Sequence, residues 1–161
     1  MLIPVMAFAS PTPKEISADI HKYGQEDFAS KVAVGDWAAT VKKISSGSDE
    51  WLRIVPDLAS VVNLEQSNQL SGALYYALAA NAKSALKTMA ILDKHHYKYQ
   101  QGTAISCVPP FDKITNSDME IYNHIRLSLL DAGPQAATCL WIMEGWVEEI
   151  KADESRESTG H

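Results

Sequence analysis

Apolar residues recur at helical spacing along almost the whole chain. In "TPKEISADIHKYG", Ile16, Ile20 and Tyr23 share one face. Thr12 is placed as an N-cap, Pro13 opens the first turn, Glu15 completes a capping pattern and Gly24 stops the run. "QEDFASKVAVG" reads as a second, weaker helix, or as a short strand built on its valines. Trp37, Val41 and Ile44 follow at i, i+4 and i+7, and Gly47 ends that run. Ser48 then caps a stretch with acids in its first turn, which suit the helix dipole. Trp51, Val55, Leu58, Ala59 and Val62 keep helical phase across Pro56. The proline predicts a kinked helix, or two short ones meeting at Val55.

The clearest amphipathic stripe is Leu70, Ala73, Leu74, Ala77 and Leu78, with Ala82, Ala85, Leu86 and Met89 aligned just beyond it. So short a link between the two predicts an antiparallel helical hairpin. Pro109 and Pro110 forbid a helix where they stand. "NSDMEIYNHIRLSLLDAG" and "PQAATCLWIMEGWVEEIK" form a last pair, with Leu140, Met143, Val147 and Ile150 facing inward. "ADESRESTGH" reads as a frayed polar tail. The expected class is therefore all-α, a compact stack of antiparallel helical hairpins.

Size and charge narrow the function. A chain of 161 residues suits one domain with a sizeable core. Its net charge of −6 disfavours nucleic-acid binding, which needs clustered positive charge, and favours a basic protein partner. The start, "MLIPVMAFAS", is apolar and uncharged, with Ala7 and Ala9 in the small-x-small pattern of a signal-peptidase site. Residues 1–9 are expected to be the end of a secretory signal, the alternative being an apolar N-terminus. Residues 10–151 then form the domain and 152–161 a flexible tail. No other stretch is long and apolar enough to insert in a membrane.

Cys107 and Cys139 make an even count, which in an oxidising compartment predicts a disulfide and in the cytosol two buried thiols. Cys107 as a nucleophile would need a positioned base such as His95, His96 or His124, and no activating signature surrounds it. His95 and His96 resemble metal ligands, with Asp93 as a third. Adjacent helical residues diverge by about 100°, however, whereas metal pairs use i, i+3 or i+4. No metal or cofactor is expected, and no enzymatic activity. His95, His96, Tyr97 and Tyr99 are instead the candidate contact residues for a protein partner, the tyrosines being amphipathic anchors of the kind enriched at interfaces. The competing reading is a loop whose tyrosines cover the core. Glu144, Glu148 and Glu149 lie on one side of the last helix as a solvated face.

A set of landmarks brings these together. Trp37, Val41, Ile44, Ser46, Gly47, Trp51 and Leu52 are followed by a hairpin turning at Asn81, "CVPPF" at 107–111 and "CL" at 139–140. The pattern resembles small exported helical proteins of Gram-negative bacteria. Among proteins of that kind are the periplasmic immunity proteins that protect cells from type VI secretion effectors such as cell-wall amidases. The resemblance implies an all-α, disulfide-bonded periplasmic protein that blocks a toxin's active site. The expected function is a stoichiometric inhibitor of a basic effector enzyme; the alternative is a non-inhibitory periplasmic scaffold or adaptor. Homodimerisation is compatible with the spare tryptophans and tyrosines on the helix faces.

Overall fold

The computed structural model describes residues 10–31 and 34–160, with side chains described for 10–24 and 36–160. Eight α-helices and no strand form among them: α1 (Pro13–Lys31), α2 (Val34–Ser45), α3 (Asp49–Arg53), α4 (Val55–Val61), α5 (Leu64–Asp93), α6 (Thr103–Ser106), α7 (Asn116–Ala132) and α8 (Ala137–Thr159). A single 3-10 turn, Pro134–Ala136, joins the last two. The expected signal at 1–9 lies outside the described residues.

Local chemistry sets most of these boundaries. Thr12 and Glu15 exchange hydrogen bonds at the start of α1, the Glu15 amide donating to Thr12 Oγ1 at 3.3 Å and the Thr12 amide donating to Glu15 Oε2 at 2.8 Å. The same reciprocal box caps α5 through Asn63 and Gln66, and α7 through Thr115 and Asp118. α1 breaks at Gly24 and its backbone stays helical to Lys31, so the segment after Gly24 is helix rather than strand as far as it is described. Ser48 stands at the N-cap of α3, but its side chain makes no capping bond, contrary to expectation. The break before Pro56 falls at Ile54, one residue earlier than expected. Residues 152–159, expected to fray, continue α8.

α5 is the centre of the molecule, and Leu70, Leu74, Leu78 and Met89 along it are fully buried. Burial of each such side chain contributes roughly 1.5–3 kcal/mol. α2, α4 and α6 pack on α5, and α7 covers its other flank. The element is two helices joined through one non-helical residue, Asn81 (φ −152, ψ 68). Its halves fold back on each other. Gln100 reaches Ser67 and Ser71 near one end, while Gly102, two residues on, lies against Met89 and Asp93 near the other. In a straight helix positions 71 and 89 would stand about 27 Å apart.

The fold-back is held at its apex. Asn81 Nδ2 donates to the Gly47 carbonyl at 2.9 Å and to Asp49 Oδ1 at 3.0 Å, and its Oδ1 accepts from the Ser84 amide at 3.3 Å. Ser84 Oγ also donates to Asp49, and these two donors hold the Asp49 carboxyl below its ordinary range. Gly47 (φ +75) sits so close that a Cβ there would lie 3.1 Å from the Cβ atoms of Ala80 and Asn81. Glycine therefore serves the turn and the close approach together.

On α8 the buried stripe is Cys139, Met143, Val147 and Ile150, with Leu140 only half-buried at its edge. Cys107 and Cys139 form a disulfide that ties the end of α6 to the start of α8. Both cysteines are buried.

Candidate functional site

The irregular stretch between α5 and α7 carries all four candidate contact residues. It is pinned at three places. At its start Asp93 accepts two bonds from Thr103, from the amide at 2.9 Å and the hydroxyl at 2.5 Å. Gly102 (φ +60) makes this clasp possible, since a Cβ there would come within 2.2 Å of Asp93 Oδ1 and 2.8 Å of the Met89 carbonyl. In the middle Gln100 is buried, its Oε1 2.6 Å from Ser67 Oγ and 3.1 Å from Ser71 Oγ. Ser67 Oγ also lies 2.9 Å from the Tyr99 carbonyl. At the far end the disulfide holds Cys107, whose sulfur lies 3.7 Å from that of Met89. Beyond it Pro110 approaches Gly72, and Phe111 meets Tyr75 edge-on at 6.5 Å.

Between the first two anchors, the side chains divide by role. His95, His96 and Lys98 are exposed, whereas Tyr97 and Tyr99 are half-buried. His95 Nδ1 is 2.8 Å from the Ile91 carbonyl; because a carbonyl only accepts, Nδ1 is the donor in that contact and Nε2 takes no part in it. The His95 and Tyr97 rings are 5.8 Å apart. Tyr97 packs on the core, and burial, reinforced by the charge of Asp57, raises its hydroxyl pKa. Lys98 lies 5.0 Å over the Tyr99 ring. The tyrosines thus seat the segment, and the two imidazoles and the ammonium form its outer surface.

The other chemical readings of this stretch separate on geometry. Asp93, offered by the sequence as a third ligand to the histidines, is taken by Thr103. Among the described residues no three His, Cys, Asp or Glu side chains gather as a metal site would require. Cys107 is bonded to Cys139 and has no thiolate to offer.

Two further surfaces lie away from the contact segment. A cleft of about 740 Å³ lies between α1 and α3–α4. Within it Ser17 Oγ donates to Asp57 Oδ2 at 2.5 Å, and His21 Nε2 lies 3.2 Å from Asp57 Oδ1. Serine and imidazole both bond the carboxylate rather than each other, so the Ser–His contact that activates a nucleophile is absent from this trio. The second surface is on α8, where Trp141 is 77% and Trp146 49% exposed. The signal was present in their position: both fall off the Leu140–Met143–Val147–Ile150 stripe.

No described helix is long and apolar enough to cross a membrane. The disulfide points to folding in an oxidising compartment. No family model, no curated protein and no solved structure matches the chain.

Proposed function

We propose that this protein is a stoichiometric inhibitor of another protein. In this reading it is exported to the periplasm, acts as an immunity protein against a secreted antibacterial effector enzyme, and meets its target with residues 94–101. The observation that carries the reading is the threefold pinning of a non-helical segment. An inhibitor that inserts a loop into a cleft gains affinity when the loop is already ordered, because ordering each free side chain on binding costs roughly 0.5–1.5 kcal/mol. The Asp93–Thr103 clasp, buried Gln100 and the disulfide fix the path of the segment from both sides, which lowers the ordering cost of its backbone. His95 Nε2, His96 and Lys98 then supply hydrogen bonding at the tip, with parts of Tyr97 and Tyr99 at its base. The overall charge of −6 would steer a basic target in from a distance.

The test is a calorimetric titration of the oxidised protein against the product of the neighbouring gene, with that enzyme's turnover followed in parallel. One-to-one binding that silences the enzyme, weakened about tenfold or more by His95→Ala with His96→Ala, is expected. Association should slow as salt is raised. Binding that leaves turnover untouched would instead make the protein a scaffold or adaptor.

A further inference from the structure

The net charge of −6 is unevenly held. Residues 112–157, which span α7 and α8, carry ten acids and four bases, so the whole excess lies there. Residues 83–98 carry four lysines and one acid, Asp93. We propose that these lysines and the segment at 94–101 form one cationic surface that docks on an acidic patch of a protein partner. On the inhibitor reading, on which the identity of that partner rests, the patch borders the mouth of the target's cleft.

The second half of α5 builds the row. At about 100° and 1.5 Å per residue, Lys83, Lys87 and Lys94 fall within about 40° of one another and span roughly 16 Å. All three are exposed. Met89 stands roughly 140° away, and its sulfur meets Cys107, which is bonded to Cys139 of α8. The lysines therefore point away from the acidic half. Asp93 stands about 100° from the row, and its carboxylate is taken by Thr103. Arg53 widens the surface, since with Lys87 and Ile91 it lines a hollow of about 290 Å³. The one acid lining that hollow, Asp49, already accepts from Asn81 and Ser84. The row ends at Lys94, where the contact segment begins, and His95, His96 and Lys98 continue the exposed surface.

Ion pairing separates the two halves of the molecule. Lys113, Arg126, Lys151 and Arg156, the four bases of the acidic half, each pair with a carboxylate of that half. Lys83, Lys87, Lys94 and Lys98 pair with none among the described residues. Charges that the fold leaves unpaired in a row select a partner of opposite sign. Lys83 and Lys87 stand one turn apart, about 6 Å, which matches carboxylates on successive turns of a helix. A lipid surface fits less well, because the row offers it no bulky apolar side chain beyond Ile91, which is 36% exposed. The overall acidity of the chain opposes nucleic acid. That acidity acts on a partner at a distance; within a Debye length of about 8 Å the local charges decide.

Heteronuclear NMR of the oxidised full chain, titrated with poly-L-glutamate at low salt, tests the surface without any target protein. Saturable shifts concentrated in the amides of 83–98 are expected, fading as salt is raised. Lys83→Gln, Lys87→Gln and Lys94→Gln together should weaken this binding about tenfold or more, and the three corresponding arginine substitutions should retain it. Far-UV circular dichroism should be unchanged in both variants, since all three side chains are exposed and unpaired. No saturable binding overturns the proposal, as do shifts centred elsewhere or a glutamine variant that binds as before. Capture by phosphatidylglycerol vesicles without binding of polyglutamate overturns it too. If polyglutamate binds as expected and the product of the neighbouring gene does not, the inhibitor reading fails while the surface for an acidic protein stands.

Discussion

Asn81→Ala probes the one residue on which the fold-back of α5 turns. The substitution removes the acceptor for the Ser84 amide, a capping loss of about 1 kcal/mol. It also strips the 2.9 Å donor from the carbonyl of Gly47, a buried residue, which costs roughly 1–2 kcal/mol more. The bond to Asp49 is exposed, and Ser84 Oγ still donates there, so its loss adds little. The expected destabilisation is therefore about 2–3 kcal/mol. Urea unfolding followed by tryptophan fluorescence and circular dichroism measures it. With a slope of about 1–3 kcal/mol per molar urea, the midpoint should fall by roughly 1–2 M. Asn81→Asp separates the parts. It keeps the capping acceptor, loses the amide donor and places a second carboxylate beside Asp49, so at neutral pH it should be no milder than alanine. A loss under about 1 kcal/mol for Asn81→Ala, at unchanged slope, would show that the side chain does not hold the fold-back.

Replacing Cys107 and Cys139 together by alanine opens a link across a sequence separation of 32, which the chain-entropy relation values at about 4 kcal/mol; a urea midpoint unchanged from the oxidised protein would contradict that. Tyr75 is fully buried and its hydroxyl has no partner among the described residues, so Tyr75→Phe should cost nothing and add up to about 1 kcal/mol in the same assay. Gly102→Ala forces a Cβ into Asp93 and the Met89 carbonyl at positive φ, with an expected loss of about 2 kcal/mol and faster hydrogen exchange at the Thr103 amide. The Asp118 carboxyl is held below its ordinary range by the Thr115 hydroxyl and then by the Thr115 amide. A depressed folded pKa contributes stability above the unfolded value of about 4 and loses it as pH falls below that. Protection factors at the start of α7, taken against the intrinsic exchange rate at each pH, should therefore fall from about pH 4 downward, and Asp118→Asn should flatten that dependence.

The helices were legible because their periodicity and their caps agree. Thr12 with Glu15 and the apolar stripe of α5 both stand in the sequence, and each is local. Local pattern cannot say whether a side chain completes its bond: Ser48 has the right type and place, yet makes no cap. Nor can it say where polarity ends a helix. Residues 152–159 lack an apolar stripe but carry Arg156 against Glu149 and Asp153 at helical spacing, and α8 continues. The disulfide was inferred from an even count and an expected compartment, and the structure forms it. At the contact segment the residue types were legible but not their division of labour. Anchoring depends on Asp93 with Thr103 and on Ser67 and Ser71, the serines lying 33 and 29 positions from Gln100, and no local pattern along the chain joins them. The exposed tryptophans of α8 were visible as residues that break the inward stripe; that they crown an open notch needed three dimensions.

α1 rests chiefly on α4, through Ile20 and through the bonds of Ser17 and His21 to Asp57. None of the anchors of the 94–112 segment belongs to it. The helix is therefore a separable unit of stability. It can undock at a free energy well below that of global unfolding, uncovering the side of α4 without disturbing the layer closed by the disulfide. Opening is then expected to begin at α1, and limited proteolysis near Gly24 at a rate set by that local opening, rather than by global unfolding, would bear it out.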